Sequence, residues 1–195
     1  EGTHLSEIDI PVVGGWNLIS GISTLIPVNA LYSSSIIYPG TVYGFEGTYV
    51  NADYIVPGRG YWARAMHDGI IHLSYNSRLV REFNEYEIPI PHEKLVFSNG
   101  KHHIDIFLNI PDEEKTVNFF SLPPIFNGLS FDVRYDGDWR IPFENKTINI
   151  LNNSNELSVV FQSNENGNSI LLRDNIGKSY EAKKGVSISL PSNTV

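Results

Sequence analysis

Histidines and carboxylates are the side chains of this sequence that could carry general acid–base and metal chemistry. His102 and His103 are adjacent, and Asp105 comes two residues later. Neighbouring side chains of an extended strand point to opposite faces, so these two imidazoles cannot be assigned to one ion. His103 and Asp105 share a face, yet two ligands fall short of a zinc site. His4, His67, His72 and His92 stand at no ligand spacing, and no HExxH occurs. Hard oxygens cluster at Asp136-Gly137-Asp138 and Asn164-Glu165-Asn166-Gly167-Asn168, with Asp112-Glu113-Glu114 as a further source. Calcium takes about six to eight oxygens, usually in a loop closed by a glutamate, and neither segment has that form. Ordinary Asx turns account for the same residues. No metal ligand set and no cofactor are assigned.

The nucleophiles are equally uninformative. None of the 195 residues is cysteine, which excludes a cysteine nucleophile, thiolate zinc, an iron–sulfur cluster and a disulfide scaffold. No GxSxG elbow is present. Gly58 and Gly60 lack the GxGxxG pattern of a phosphate loop. The expectation is a protein that is not an enzyme. Net charge is -8, which argues against nucleic acid and anionic membrane as broad partners. No apolar run is long enough to span a bilayer. The chain starts at Glu1 without a leader pattern, as expected of a mature or processed chain. Asn145-Lys146-Thr147 and Asn152-Asn153-Ser154 fit the glycosylation acceptor pattern.

The elements that would position these residues read as short strands. β-Branched and aromatic residues alternate between closely spaced Gly and Pro. Thr41–Phe45 and Thr48–Val50 form a hairpin around Glu46-Gly47, with 51–56 continuing the second arm. Tyr61–Ala65 and Ile70–Leu73 flank a turn at Asp68-Gly69, and the one short helix falls around Pro27–Ser33. Ser74–Pro91 reads as a connection. Beyond it Asn99-Gly100 joins two strands, the strongest local hairpin signal. Further strands are expected at Thr116–Ser121, Leu129–Tyr135, Lys146–Leu151, Leu157–Gln162, Ser169–Arg173 and Gly185–Leu190. The fold class is all-β: a small Gly/aromatic-rich module in residues 1–80, then an immunoglobulin-like or jelly-roll-like β-sandwich in residues 81–195. Phe131–Tyr135 should be a half-buried strand, with Phe131, Val133 and Tyr135 on one face and Asp132 and Arg134 on the other, where they would support a weak ion pair or part of an interface.

Two phrases stand out, Gly15-Trp16-Asn17-Leu18-Ile19-Ser20 and Pro57-Gly58-Arg59-Gly60-Tyr61-Trp62. Together they resemble a module in the C-terminal regions of large secreted or surface proteins of Bacteroidetes, Ignavibacteria and related bacteria. Phe120-Ser121-Leu122-Pro123-Pro124 and Phe131-Asp132-Val133-Arg134-Tyr135 are similar to the stretch downstream of that module in the family's longer members. The resemblance implies an all-β accessory region, export across two membranes and usually a terminal sorting domain. The sequence departs from that pattern in closing on Pro191-Ser192-Asn193-Thr194-Val195, as expected of a processed or trimmed chain. The resemblance brings no catalytic residues with it.

Function then divides between two noncatalytic classes. One is an extracellular structural or assembly module of a bacterial surface or secreted protein. Its partners would be copies of itself, as in a fibre, or neighbouring domains. The strands around Ile8, Ile10 and Val12 and around Val186, Ile188 and Leu190 would be added or exchanged. The alternative is a carbohydrate-binding or adhesive domain, with Trp16, Tyr43, Tyr49, Tyr61 and Trp62 stacking on a polysaccharide. Those tryptophans serve equally well as packed anchors of a small core.

Overall fold

The computed structural model describes residues 3–76, 90–109, 114–143, 146–164 and 169–191, the side chains of 114 and 115 excepted. The chain is all-β, built of antiparallel strand pairs. It divides into two compact units, Glu1–Ile88 and Pro89–Val195. The boundary expected at 80/81 and most of the connection lie outside the described residues.

The first unit begins with β1 (Glu7–Val12) and β2 (Gly15–Ser20), followed by β3 (Ile26–Pro27) and the single-turn helix α1 (Asn29–Tyr32). β4 (Ile37–Phe45), β5 (Tyr49–Asn51), β6 (Tyr54–Ile55), β7 (Gly60–Ala65) and β8 (Gly69–Ser74) follow among the described residues. A four-stranded sheet has the order β2-β7-β4-β5, beside the pairs β1-β8 and β3-β6. Residues 51–56 do not simply extend the hairpin. The chain turns after Asn51, and Ile55 pairs with Ile26 instead. That places Ile55 in the core, fully buried, with Ile26, Leu31, Ala63 and Leu73.

β1 and β2 run on into one another, as do β7 and β8, so the four strands form one long bent ribbon. Its register passes from Val12↔Gly69 to Gly15↔Ala65. Two residues on one arm, Val13 and Gly14, therefore oppose three on the other, Met66–Asp68, and a bulge of this kind bends a ribbon. Gly15 sits there at φ 103°, where a residue with a Cβ is disfavoured.

The second unit holds β9 (Lys94–Ser98), β10 (His103–Phe107), a 3-10 helix (Glu114–Phe120), β11 (Phe131–Tyr135) and β12 (Ile148–Asn152). β13 (Ser158–Gln162), β14 (Ser169–Arg173), β15 (Ser179–Lys183) and β16 (Ser187–Ser189) follow among the described residues. A four-stranded sheet of order β10-β9-β13-β16 and the ribbons β11-β12 and β14-β15 contribute to one core. Phe97, Phe131, Val133 and Phe161 are buried at its centre.

The strand expected at Thr116–Ser121 is a correction: Thr116–Phe120 is helical. Thr116 and Phe120 are buried and the three residues between them are all half-buried, so the in-and-out alternation of a strand is absent. Phe120 lies edge-on to Phe107, with ring centroids 5.2 Å apart. β15 is an addition to the expected strands. Its Ser-Tyr-Glu-Ala-Lys sequence carries only Tyr180 and Ala182 toward the core.

Candidate functional site

The first phrase explains itself at the ribbon bend. Asn17 accepts the Val13 N–H at Oδ1 (3.0 Å) and donates from Nδ2 to the carbonyls of Val13 (2.8 Å) and Gly15 (2.9 Å). From the opposite arm, Asp68 Oδ1 accepts the Gly14 N–H at 2.7 Å. Those bonds satisfy backbone groups that a bulge removes from the strand ladder. The second phrase is built similarly. Gly58 turns the chain at φ 75°, and the Tyr61 hydroxyl accepts the Val56 N–H at 2.9 Å.

Strand alternation then sorts the aromatics. Ile19, Tyr61 and Ala63 face the core. Leu18, Trp62, Tyr43 and Asn51 are successive partners across all four strands and so form one row on the other face. Trp16 pairs with Arg64 and Phe45 with Tyr49 in neighbouring rows. Trp16 and Tyr43 have ring centroids 6.0 Å apart, and Tyr49 meets Tyr43 edge-on at 6.3 Å. Arg64 lies 5.6 Å over the Tyr38 ring, and burial lowers its pKa, partly offset by Tyr38.

The five aromatics nominated for stacking therefore do not make one strip. Trp16 and Trp62 are half-buried on the outer face. Tyr43 and Tyr49 share that face but are buried beneath their neighbours. Tyr61 points the other way, into the core. The most exposed apolar side chain among the paired residues of this face is Leu18, at 69%.

The nominated assembly strands divide too. Val12 is buried and Ile8 and Ile10 pack against the first core, with β1 paired to β8. β16 is an outer strand of its sheet. Ile188 and Leu190 pack against the second core, whereas Val186 is half-exposed.

In the second unit, all five residues of β11 are buried. This corrects the half-buried strand with a weak ion pair. Arg134 grips Asp132 through two parallel bonds, Nε to Oδ2 and Nη2 to Oδ1 (2.8 Å). Its Nη1 donates to the Pro123 carbonyl (2.8 Å) and to Asp138 Oδ1 (2.7 Å). Asp138 reaches it from a left-handed backbone, φ 67°, a conformation that aspartate tolerates better than most residues. Burial pulls the Arg134 pKa down, but its bonds to Asp132 and then Asp138 outweigh that, and the net shift is upward. The segment Ser121–Pro124 is tied in by the Leu122 N–H to the Asp138 carbonyl at 2.8 Å.

The other sequence candidates are dispersed. His103 is exposed, and Asp105 is paired with Lys94. His72 meets Asp9 across the ribbon at 2.6 Å. Asp136 accepts a bond from Asn149, and Asp138 from Arg134. Among the described residues no group of three or more His, Cys, Asp or Glu is placed to hold a metal. Residues 165–168, Asp112, Glu113 and Asn145 lie outside the described residues, and of Glu114 only the backbone is described. The Asn152 amide donates to the carbonyls of Ser154 and Glu156, so that acceptor nitrogen is engaged in a turn.

Sequence reasoning missed the Asn17 clip and the full engagement of Arg134. The alternation of Asp132 and Arg134 was a usable signal for the latter. Comparison with protein-family models, curated proteins and solved structures finds no match. Among the described residues no helix is long and apolar enough to cross a membrane.

Proposed function

We propose that the chain is a noncatalytic structural module of a secreted or surface-exposed bacterial protein. The outer face of the β2-β7-β4-β5 sheet is its contact surface for a neighbouring domain or a second copy. The observation that carries this is Leu18, 69% exposed in one row with the half-buried Trp62. A large apolar side chain held out on a rigid strand beside aromatic rings is the makings of an interface core. The residues of the motifs that could have done chemistry are meanwhile engaged in architecture: Asn17 in backbone bonds, Asp132 and Arg134 with one another. The family that the two phrases resemble supports the same reading.

The test is the native assembly state. Light scattering and electron microscopy of the full chain should show concentration-dependent self-association, or capture of an adjoining domain. Leu18→Ser should weaken either one without lowering the melting temperature. A monodisperse monomer at high concentration that also ignores its neighbouring domains defeats the reading.

A further inference from the structure

The β4–β5 hairpin and the Val56–Gly60 turn enclose a groove of about 570 Å³, within the ~300–1,000 Å³ of small-molecule sites. Phe45 and Asn51 of the outer face contribute to its lining, whereas Trp16, Leu18 and Trp62 do not. Its exposed apolar lining is Phe45, Val50 and Tyr54, at 47%, 38% and 49%, with Ala52, Val56 and Tyr61 less exposed behind them. Its polar lining includes Glu46, Asp53 and Arg59. We propose that this groove binds a neutral glycan.

The sequence builds the groove by strand alternation. In the two-residue strand β6, Ile55 enters the core, and Tyr54 is thereby turned out to the rim. Asp53 is fixed beside it because its carbonyl accepts the Val28 N–H at 2.9 Å. Gly44 and Gly60 also line it. The wall is braced where the Arg59 N–H bonds the Val56 carbonyl (3.2 Å) and the Tyr61 hydroxyl accepts the Val56 N–H.

The chemistry selects the ligand. A pyranose has an apolar C–H face and a rim of hydroxyls. The first suits the exposed Phe45 and Tyr54 rings, and the second suits carboxylate acceptors and a guanidinium donor. Arg59 and Glu46 stand 3.7 Å apart, both well exposed, so each keeps hydrogen-bonding capacity for a hydroxyl. Two carboxylates against one guanidinium leave the groove negative within a chain of net charge -8. That disfavours uronate and sulfated glycans. An apolar helix would need a continuous apolar groove, which the charged rim interrupts.

The experiment is a screen of the full chain on an array of neutral and acidic glycans. Calorimetry is then run with the best-retained neutral oligosaccharide. Wild type should retain neutral glycans. Tyr54→Ala should weaken binding about tenfold, equivalent to about 1.4 kcal/mol. Asp53→Asn should weaken it as well, and Leu18→Ser should leave it unchanged. Circular dichroism checks folding, and Phe45→Leu replaces Tyr54→Ala if the latter unfolds. A folded wild type that retains no neutral glycan overturns the proposal, as does preference for acidic glycans. Undiminished binding by both Tyr54→Ala and Asp53→Asn does the same. Loss on Leu18→Ser with Tyr54→Ala intact moves recognition out of the groove to the Leu18–Trp62 row and also overturns it. Assembly is read separately, so the structural reading can fail while this one stands.

Discussion

The Trp16–Leu18 phrase and the Phe131–Tyr135 phrase look alike on paper, since both alternate large apolar residues with polar ones. The folded chain uses them oppositely. In the first unit the polar residue, Asn17, clips the backbone at a bend, and part of the apolar set is left facing outward. In the second unit both sides of the strand are covered, and the polar residues become a closed ion pair. The difference teaches that alternation states which side chains share a face but not what covers the face. Cover comes from outside the strand itself, here from the upstream segment Ser121–Pro124 and from the turn carrying Asp138 directly after β11.

Arg134→Met is the sharpest way to break this contrast. It strands a buried carboxylate at Asp132 and should cost about 3–5 kcal/mol in urea unfolding of the full chain. Adding Asp132→Leu should recover most of that loss, because a buried pair is often replaceable by apolar residues of similar volume. If the double variant is no better than the single one, the network does more than neutralise its own charges. Asn17→Ala should cost less, about 1–2 kcal/mol, since its bonds lie nearer solvent. A loss as large as that of Arg134→Met would erase the distinction between the two phrases.

Alkaline pH gives a comparison between the units. Burial pushes Tyr32, in the first, and Tyr135, in the second, up to about 12. The Tyr32 hydroxyl accepts the Gly40 N–H, which offsets part of that shift, while the Tyr135 hydroxyl donates to the Phe107 carbonyl. Both folded pKa values exceed the unfolded one near 10, so their stabilising contribution is complete below pH ~10. It should fall away between pH ~10 and ~12, by at most about 1.4 kcal/mol per pH unit for each tyrosine. Tyr135→Phe should remove one share of that slope, read from chemical denaturation across the range. The smallest stability effect belongs to Leu18→Ser, within about 0.5 kcal/mol of wild type. A larger drop would mean that Leu18 is packed in solution and would weaken its assignment to an interface.

Much of the fold was legible where local rules decide. Asn99-Gly100 announces a hairpin, and the strand expected at Ser169–Arg173 has its observed limits. The parity of Asp132 and Arg134 was readable as well. Their burial was not, because it depends on a proline segment arriving from ten residues upstream. Thr116–Ser121 misleads because β-branched and aromatic residues favour strands only weakly when packing prefers a turn of helix. Tyr43 and Tyr49 show a further limit: each is buried, yet neither belongs to the core cluster, since their cover is a set of neighbouring rings. The groove was illegible for a related reason. Phe45 and Tyr54 come from different strand pairs, and only the turn after Asn51 sets them along one hollow.

The ribbon has a mechanical consequence. Glu7 pairs with Ser74, and the Tyr75 N–H donates to the Ser6 carbonyl at 2.8 Å. Residues 6 and 75 thus stand side by side at one end of the β1-β8 pair. Tension applied between them loads the ladder rung by rung, like a zip, instead of shearing all its hydrogen bonds at once. Under load the first unit should open from that base toward the Val13–Gly14 bend, where the Asn17 and Asp68 clips form the next stop.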